Sequence, residues 1–464
     1  MSQPDASRAF DSLPLSAPLL TNLADLGFSQ LTEIQAQALP QVLAGRDVIA
    51  QAKTGSGKTA AFGLGVLNKL EVGRFRVQAL VLCPTRELAD QVARELRKLA
   101  RAIHNIKILT LCGGMPFGPQ LASLDHGAHI VVGTPGRIEE HVRKGKLDLG
   151  EVQTLVLDEA DRMLDMGFQA TLDAIVEQVP QARQTLLFSA TYPDAIEALA
   201  ARVLKDPVRV TVASRHQANS IEQHFYRVKN NEEREQAVAR LLLHYVPESA
   251  VVFCNTKRET EAIAEVLRAQ EIVALPIHGD LEQKQRDQVL TCFANKSASV
   301  LVATDVAARG LDIEALDLVV NYHLARDSEV HVHRIGRTGR AGASGVACSL
   351  VSEREDFKLE KLAELLGDLP DIEPLPAESR RHMPEPAMVT LQIDGGKKQK
   401  LRPGDVVGAL TRNNQVAFDD IGKIQVYDFS TYVAVARGAW KQAHIQLEQG
   451  KLKGRSFRVR RIKV

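Results

Sequence analysis

The sequence predicts an α/β chain: two tandem parallel-sheet domains followed by a small α+β domain of βαββαβ order. Three observations carry this. Short, nearly continuous apolar runs alternate with amphipathic stretches. The alternation starts afresh after about residue 213, and residues 388–464 change both the pattern and the charge.

The first domain, residues 1–212, holds the apolar runs Gln78–Cys83, His129–Gly133, Thr154–Asp158 and Thr185–Phe188. Such runs suit strands buried on both faces of a parallel sheet. Amphipathic stretches at 87–102 and 166–179 supply helices between them. The second domain, 213–367, repeats the style with Ser249–Cys254, Ile272–Leu275, Ser299–Ala303, Leu316–Val320 and Gly345–Val351. Ala213–Gln223, polar and weakly periodic, reads as the joint. Residues 368–387 read as a linker, because five prolines between Asp368 and Pro386 resist regular structure. In the last domain, 388–464, strands are expected at Val389–Ile393, Ile421–Phe429, Tyr432–Arg437 and Ser456–Ile462. Helices are expected there at Pro403–Thr411 and Ala439–Gln449. That order suggests an RRM-like sandwich.

A chain of 464 residues exceeds what one core can organise and fits roughly three domains. Its 45% hydrophobic and 25% charged content is that of an ordinary globular protein. No apolar run approaches the roughly 18 residues of a membrane span. Met1–Pro14 lacks the basic-then-apolar pattern of a signal peptide. The five cysteines (Cys83, Cys112, Cys254, Cys292 and Cys348) are scattered, odd in number and without a Cys-x-x-Cys pair. Disulfides and zinc are therefore not expected, and a reducing cytoplasm is. Net charge is +1, yet residues 391–464 carry 15 Lys/Arg against 6 Asp/Glu, which is +9 and leaves −8 on the rest. A basic tail on a mildly acidic body points to a polyanion held by the tail.

Three motifs carry chemistry. Ala52-Lys-Thr54-Gly55-Ser56-Gly57-Lys58-Thr59 follows the apolar Val48–Ala50 and opens a helix. Its glycines let several N–H groups converge on phosphate, and the helix N-terminus adds positive potential. Lys58 can reach the β- and γ-phosphates and the Thr59 hydroxyl can hold Mg²⁺. Asp158-Glu159-Ala-Asp161 closes an apolar strand, at the sheet edge where ligands bind. Asp158 suits the Mg²⁺ shell and Glu159 the attacking water. His333-Arg-Ile-Gly-Arg337-Thr-Gly-Arg340 packs three arginines and a histidine into eight residues. Arg337 and Arg340 are expected to stabilise charge on a transferred phosphate, with His333 near the water network.

The order and register of these motifs resemble the DEAD-box RNA helicases over residues 10–365, which implies two RecA-like domains, ATP with Mg²⁺, and RNA as the partner. Phe10, Phe28, Thr32 and Gln35 look like the family's adenine-reading motif, with Leu31 where a proline is usual. Asp312 matches the ribose contact, and Ser189 and Thr191 match the motif coupling hydrolysis to strand separation. Pro84, Thr85, Arg86, Gly114, Thr134 and Arg137 resemble the RNA-backbone contacts of the first domain. Gly279, Gln283, Arg286 and Thr304 look like their counterparts in the second, and His331 stands where many members have Tyr. Amides, hydroxyls and guanidiniums of this kind suit phosphate and 2′-OH and do not read sequence.

Any address must then lie in the tail, where Lys451, Lys453, Arg455, Arg458 and Arg460 make a phosphate-binding surface. The usual aromatic RRM code is absent from its third strand, Thr431–Ala436, although Tyr427, Phe429 and Tyr432 lie close by. The tail is similar to that of the DbpA group of bacterial DEAD-box proteins. The similarity implies binding to a hairpin in the peptidyl-transferase region of 23S rRNA and action on large-subunit precursors; a monomer is expected. The implied reaction is ATP-driven local unwinding in which the two domains close on ATP and RNA. An ATP-dependent RNA clamp and a non-enzymatic rRNA scaffold are the alternatives, and the intact motif residues speak against the scaffold.

Overall fold

The computed structural model describes residues 9–52, 55–212, 221–308, 316–325, 327–339, 345–366, 370–378, 381–412 and 414–463. They fall into two units that divide near residue 215.

In the first unit the strands are β1 (Val48–Gln51), β2 (Ala79–Leu82), β3 (Ile108–Leu111), β4 (Ile130–Gly133), β5 (Thr154–Asp158), β6 (Gln184–Ser189) and β7 (Val208–Thr211). They pair in parallel in the order β3-β4-β2-β5-β6-β1-β7. The central strands are fully buried because helices cover both faces, and two apolar clusters lie on opposite sides of the sheet. The helix Arg86–Leu99 shows the local logic. Thr85 caps it by accepting from Leu88 N at 3.3 Å, and Leu88, Val92, Leu96 and Leu99 line its buried face.

The second unit repeats the architecture with β8 (Ile221–Arg227), β9 (Ala250–Cys254), β10 (Ala274–Ile277), β11 (Val300–Thr304), β12 (Leu318–Asn321), β13 (Gly345–Val351) and β14 (Ile372–Glu373). Its order, β10-β11-β9-β12-β13-β8-β14, is the same permutation as the first sheet. Details differ from the sequence reading: β12 begins two residues later than the apolar run Leu316–Val320. β8 begins at Ile221, inside the segment read as the joint; residues 213–220 of that joint lie outside the described residues. β10 lies two residues beyond the apolar run at Ile272, whose side chain is buried under the helix before it. The proline-rich stretch carries β14, which extends the sheet through Ile372↔Phe225, while Leu375 and Met383 pack on the domain core. Proline blocks ladder bonds only at its own nitrogen, so a strand fits between prolines at a sheet edge.

The same unit ends in an antiparallel sheet of β15 (Met388–Ile393), β16 (Ile421–Val426), β17 (Thr431–Ala436) and β18 (Val459–Arg461), ordered β16-β17-β15-β18. Helices Pro403–Thr411 and Trp440–Gln449 cover one face through Val406, Leu410, Ala443 and Leu447. No helix among the described residues is long and apolar enough to cross a membrane.

Candidate functional site

In the first unit the phosphate loop leaves β1 and enters the helix Lys58–Lys69. Gly57 sits at φ +95°, and a Cβ there would lie 2.5 Å from Gln35 Nε2 and 2.9 Å from Thr32 Oγ1. Only glycine meets both demands. Lys58 is buried and donates to Ala52 O at 2.9 Å, so its ammonium is held over the loop. Gln35 accepts from Thr32 N at 2.9 Å through Oε1 and donates to Gly57 O at 3.1 Å through Nε2, tying the adenine-motif helix to the loop. Each amide atom keeps a second hydrogen-bonding valence. Phe10 and Phe28 meet edge to face at 6.0 Å. Gly55, Ser56 and Thr59 lie in the loop or first helical turn, half-buried or exposed, while Thr54 lies outside the described residues.

β5 and β1 flank β6, so Asp158, Ser189 and the loop converge at one sheet edge. Asp158 Oδ1, Ser189 Oγ and Ser56 Oγ are buried with no hydrogen-bond partner among the described residues. Unpartnered buried oxygens cost stability unless a ligand meets them. Burial pushes the Asp158 carboxyl up to about 7, against the pull of Lys58 and with a further push from Glu159. A carboxylate and the Thr59 hydroxyl form a hard oxygen donor set, which fits Mg²⁺.

Glu159 stands in the left-handed region at φ +53°, a strained position for a non-glycine residue and one that active sites often hold. Its Oε2 accepts from Arg162 Nη1 at 2.8 Å, and both side chains are buried. The sequence reading missed Arg162; the i, i+3 spacing within Glu159–Arg162 was the available signal. Asp161 Oδ2 accepts from Thr191 N at 3.0 Å and Thr191 Oγ1 at 2.9 Å. Burial works to raise the Asp161 carboxyl, but Thr191 and Arg162 together hold it below its ordinary value.

The other half of the same edge, β3-β4-β2, carries the candidate RNA residues. Pro84, Thr85 and Arg86 follow β2, with Arg86 paired to Asp90 at 3.5 Å. Gly113 N donates to Thr134 Oγ1 at 3.2 Å, and Gly114 has φ +72°. Arg137 donates to Met115 O at 2.8 Å and pairs with Glu140 at 3.0 Å, so it holds the glycine loop from beneath.

In the second unit, Gly279 is exposed after β10, and Thr304 ends β11 half-buried. Gln283 and Arg286 open the helix Gln283–Ala294; Gln283 donates to Asp287 at 2.9 Å and Arg286 to His278 O at 3.3 Å. His333 is half-buried and Arg337 buried, while Arg340 and Asp312 lie outside the described residues. Arg334, to which the sequence reading gave no role, is the organiser of this region. It binds Asp305 bidentately at 2.6 and 2.7 Å and also donates to His323 O and Asn255 Oδ1. His331 is a core histidine: burial lowers it to about 4, and its Nε2 lies 3.2 Å from Gln223 Oε1.

In the tail, Lys451–Arg455 is a tight turn. Leu452 N donates to Arg455 O at 2.8 Å, and Lys453 (φ +51°) and Gly454 (φ +78°) supply the positive angles. Leu452 is buried and anchors the turn; Lys451, Arg455 and Arg458 are exposed. Lys453 donates to Lys400 O at 2.6 Å, and Arg460 pairs with Asp394 at 3.1 Å. Phe429 is exposed, whereas Tyr432 is buried.

The family described as DEAD/DEAH box helicase matches residues 32–199, the helicase conserved C-terminal domain 233–342, and the DbpA RNA binding domain 390–461. The ATP-dependent RNA helicase DbpA of Escherichia coli K12 is 53% identical over 456 residues, 98% of this chain and 100% of that one. The DEAD-box ATP-dependent RNA helicase CshA of Bacillus cereus is 45% identical over 353 residues, 76% of this chain and 67% of its own. Among solved structures, S. cerevisiae Dbp5 bound to RNA and ADP BeF3 superposes with TM-score 0.69 at 30% identity, covering 80% of this chain and 96% of its own.

Proposed function

The chain belongs to the DEAD-box ATP-dependent RNA helicases, in the group that ends in a DbpA RNA-binding domain, and on that premise we propose that it remodels 23S rRNA locally during large-subunit assembly. The observation that carries the catalytic half is the unpartnered Asp158 oxygen beside buried Lys58 and Glu159 at one sheet edge.

In this reading Lys58 exchanges the Ala52 carbonyl for the β- and γ-phosphates of ATP. Glu159 takes a proton from the attacking water, held in place by Arg162. Thr59 and Asp158 would hold Mg²⁺, which supplies charge neutralisation between the phosphates. Arg337 and Arg340 bring positive charge to the transferred group, with His333 beside the water; Asp312 holds the ribose, and Gln35 with Phe28 holds adenine. The Asp161–Thr191 bond links the acidic cluster to the strand end that senses hydrolysis. RNA lies along Thr85, Arg86, Gly114, Thr134 and Arg137 in one domain and Gly279, Gln283, Arg286 and Thr304 in the other, by backbone contacts alone.

The tail supplies the address: Lys451, Arg455 and Arg458 face solvent and suit the phosphates of a hairpin in the peptidyl-transferase region. The protein works as a cytoplasmic monomer. The test is the double charge reversal Lys451→Glu with Arg455→Glu, scored as ATPase activity with 23S hairpin RNA and with poly(A). The hairpin preference is expected to vanish while poly(A) stimulation stays; a retained preference would defeat the tail assignment.

A further inference from the structure

In the tail sheet, Val389, Leu391, Ile393, Val433 and Val435 point into the domain's own core. The alternate residues Thr390, Gln392, Tyr432 and Ala434 point to the opposite face, which RRM-like sheets use for stacking single-stranded bases. That face should be wet, yet Thr390 is 1% and Tyr432 2% exposed. What covers it is the last turn of the helix Gln283–Ala294 and the residues just after it. Thr390 Oγ1 accepts from Asn295 Nδ2 at 3.1 Å and lies 2.7 Å from Ser297 Oγ. Tyr427 Oη lies 3.0 Å from Thr291 Oγ1. Cys292, Tyr432 and Ile462 close the apolar part of the contact, with Leu275 at its edge.

The same helix carries Gln283 and Arg286 in its first turn. At about 1.5 Å rise per residue, Gln283 and Thr291 stand about 12 Å apart along its axis. We propose that this helix is a fixed strut between two RNA sites, and that Thr390 is a positioning residue which locks the tail to it. The strut sets the distance and direction at which RNA gripped by the tail reaches the second domain. The substrate class it selects is an RNA whose hairpin and target strand are separated by a spacer of defined length. The inference rests on the reading of the tail as the RNA holder.

The closed sheet face also moves the tail's RNA contacts elsewhere. They fall to the turn Lys451–Arg455 and to Arg458, which remain exposed.

The test uses the full chain. All five cysteines are buried, and Cys292 is the one within the dock, so N-ethylmaleimide labelling followed by peptide mapping reports undocking. Thr390→Val keeps the shape and removes the shared hydroxyl; Thr291→Val removes the other polar contact. Each is expected to raise the Cys292 labelling rate at least tenfold without exposing Cys254 or Cys348. Unwinding is then measured on 23S hairpins joined to a duplex by spacers of graded length. The parent is expected to show an optimum spacer. The variants are expected to bind the hairpin within twofold of the parent and to lose the optimum, giving a flat profile. A merely structural role would lower all rates alike and keep the optimum. Unchanged Cys292 labelling in both variants overturns the assignment of the lock. An optimum that survives undocking overturns the strut alone. A parent indifferent to the hairpin overturns the tail reading and the strut with it.

Discussion

In the first domain β5 ends on Asp158 and Glu159 follows; past the matching strand of the second, β12, stand Tyr322 and His323. The helix after β1 begins with Lys58, and the helix after its counterpart β8 carries Arg234. In the first domain these groups surround oxygens without partners. In the second, the corresponding place is filled from within. Arg234 donates to Glu355 at 2.6 Å, and Glu355 also accepts from Ser352 N and Oγ. His323 sits between Glu259 at 2.9 Å and Glu355 at 3.5 Å. An internal carboxylate thus pairs with the arginine of the helix that, by strand order, matches the helix of Lys58. The other half of the edge, which carries the candidate RNA residues, is treated differently. Thr85 and Thr256 cap the helices after matching strands, and glycines follow β3 and β10 in both domains. One sheet permutation therefore repeats its capped helix starts and glycine turns in both domains, and its glycine loop and acidic strand end in the first alone.

The sharpest way to break this comparison is at Glu159. Glu159→Gln is expected to lower ATP turnover by about 10²–10⁴-fold, the usual worth of a positioned base, with ATP still bound. Multiple-turnover ATPase alongside equilibrium nucleotide binding checks it, and near-parental turnover would remove the base from the first domain.

The second domain's counterpart is a stability experiment. Glu355→Gln leaves buried Arg234 and half-buried His323 without their shared anion, and breaking a buried pair costs about 3–5 kcal/mol. Chemical denaturation is expected to show that loss, with ATP affinity unchanged.

Gly57→Ala strains the backbone at positive φ and drives a methyl onto Gln35 and Thr32. Strain of about 1–3 kcal/mol predicts a fall in ATP affinity of roughly tenfold or more, read by calorimetry. The fold of the second domain should not notice.

The smallest effect is in pH. Burial depresses His331 to about 4, so its contribution is present above pH 6.5 and is lost as pH falls towards about 4. For His323, burial opposes the charge but hydrogen bonds donated to Glu259 and Glu355 raise the pKa above 6.5. Its contribution is present below 6.5 and is lost as pH rises through the raised value. Hydrogen exchange of β9 and β12 amides should show greatest protection near pH 6.5. His323→Gln should flatten the alkaline arm only.

Sequence alone determined the alternation of buried strands and covering helices, because a strand buried on both faces must read as a continuous apolar run. It also placed a glycine loop before a helix and the carboxylate at a strand end, since these signals are local: glycines, a helix start and a carboxylate within a few residues. The tail's helix Pro403–Thr411 was legible to the residue for the same reason, with proline at its start. Only tertiary structure decided the rest. Arg162, Arg234, Arg334 and Glu355 look like any surface charges in the sequence, and their burial depends on partners up to 121 residues away. Thr390 and Tyr432 alternate as an open sheet face should, and what closes that face is a helix nearly a hundred residues earlier. Period and propensity act over one or two turns of chain, whereas desolvation depends on which distant surfaces meet.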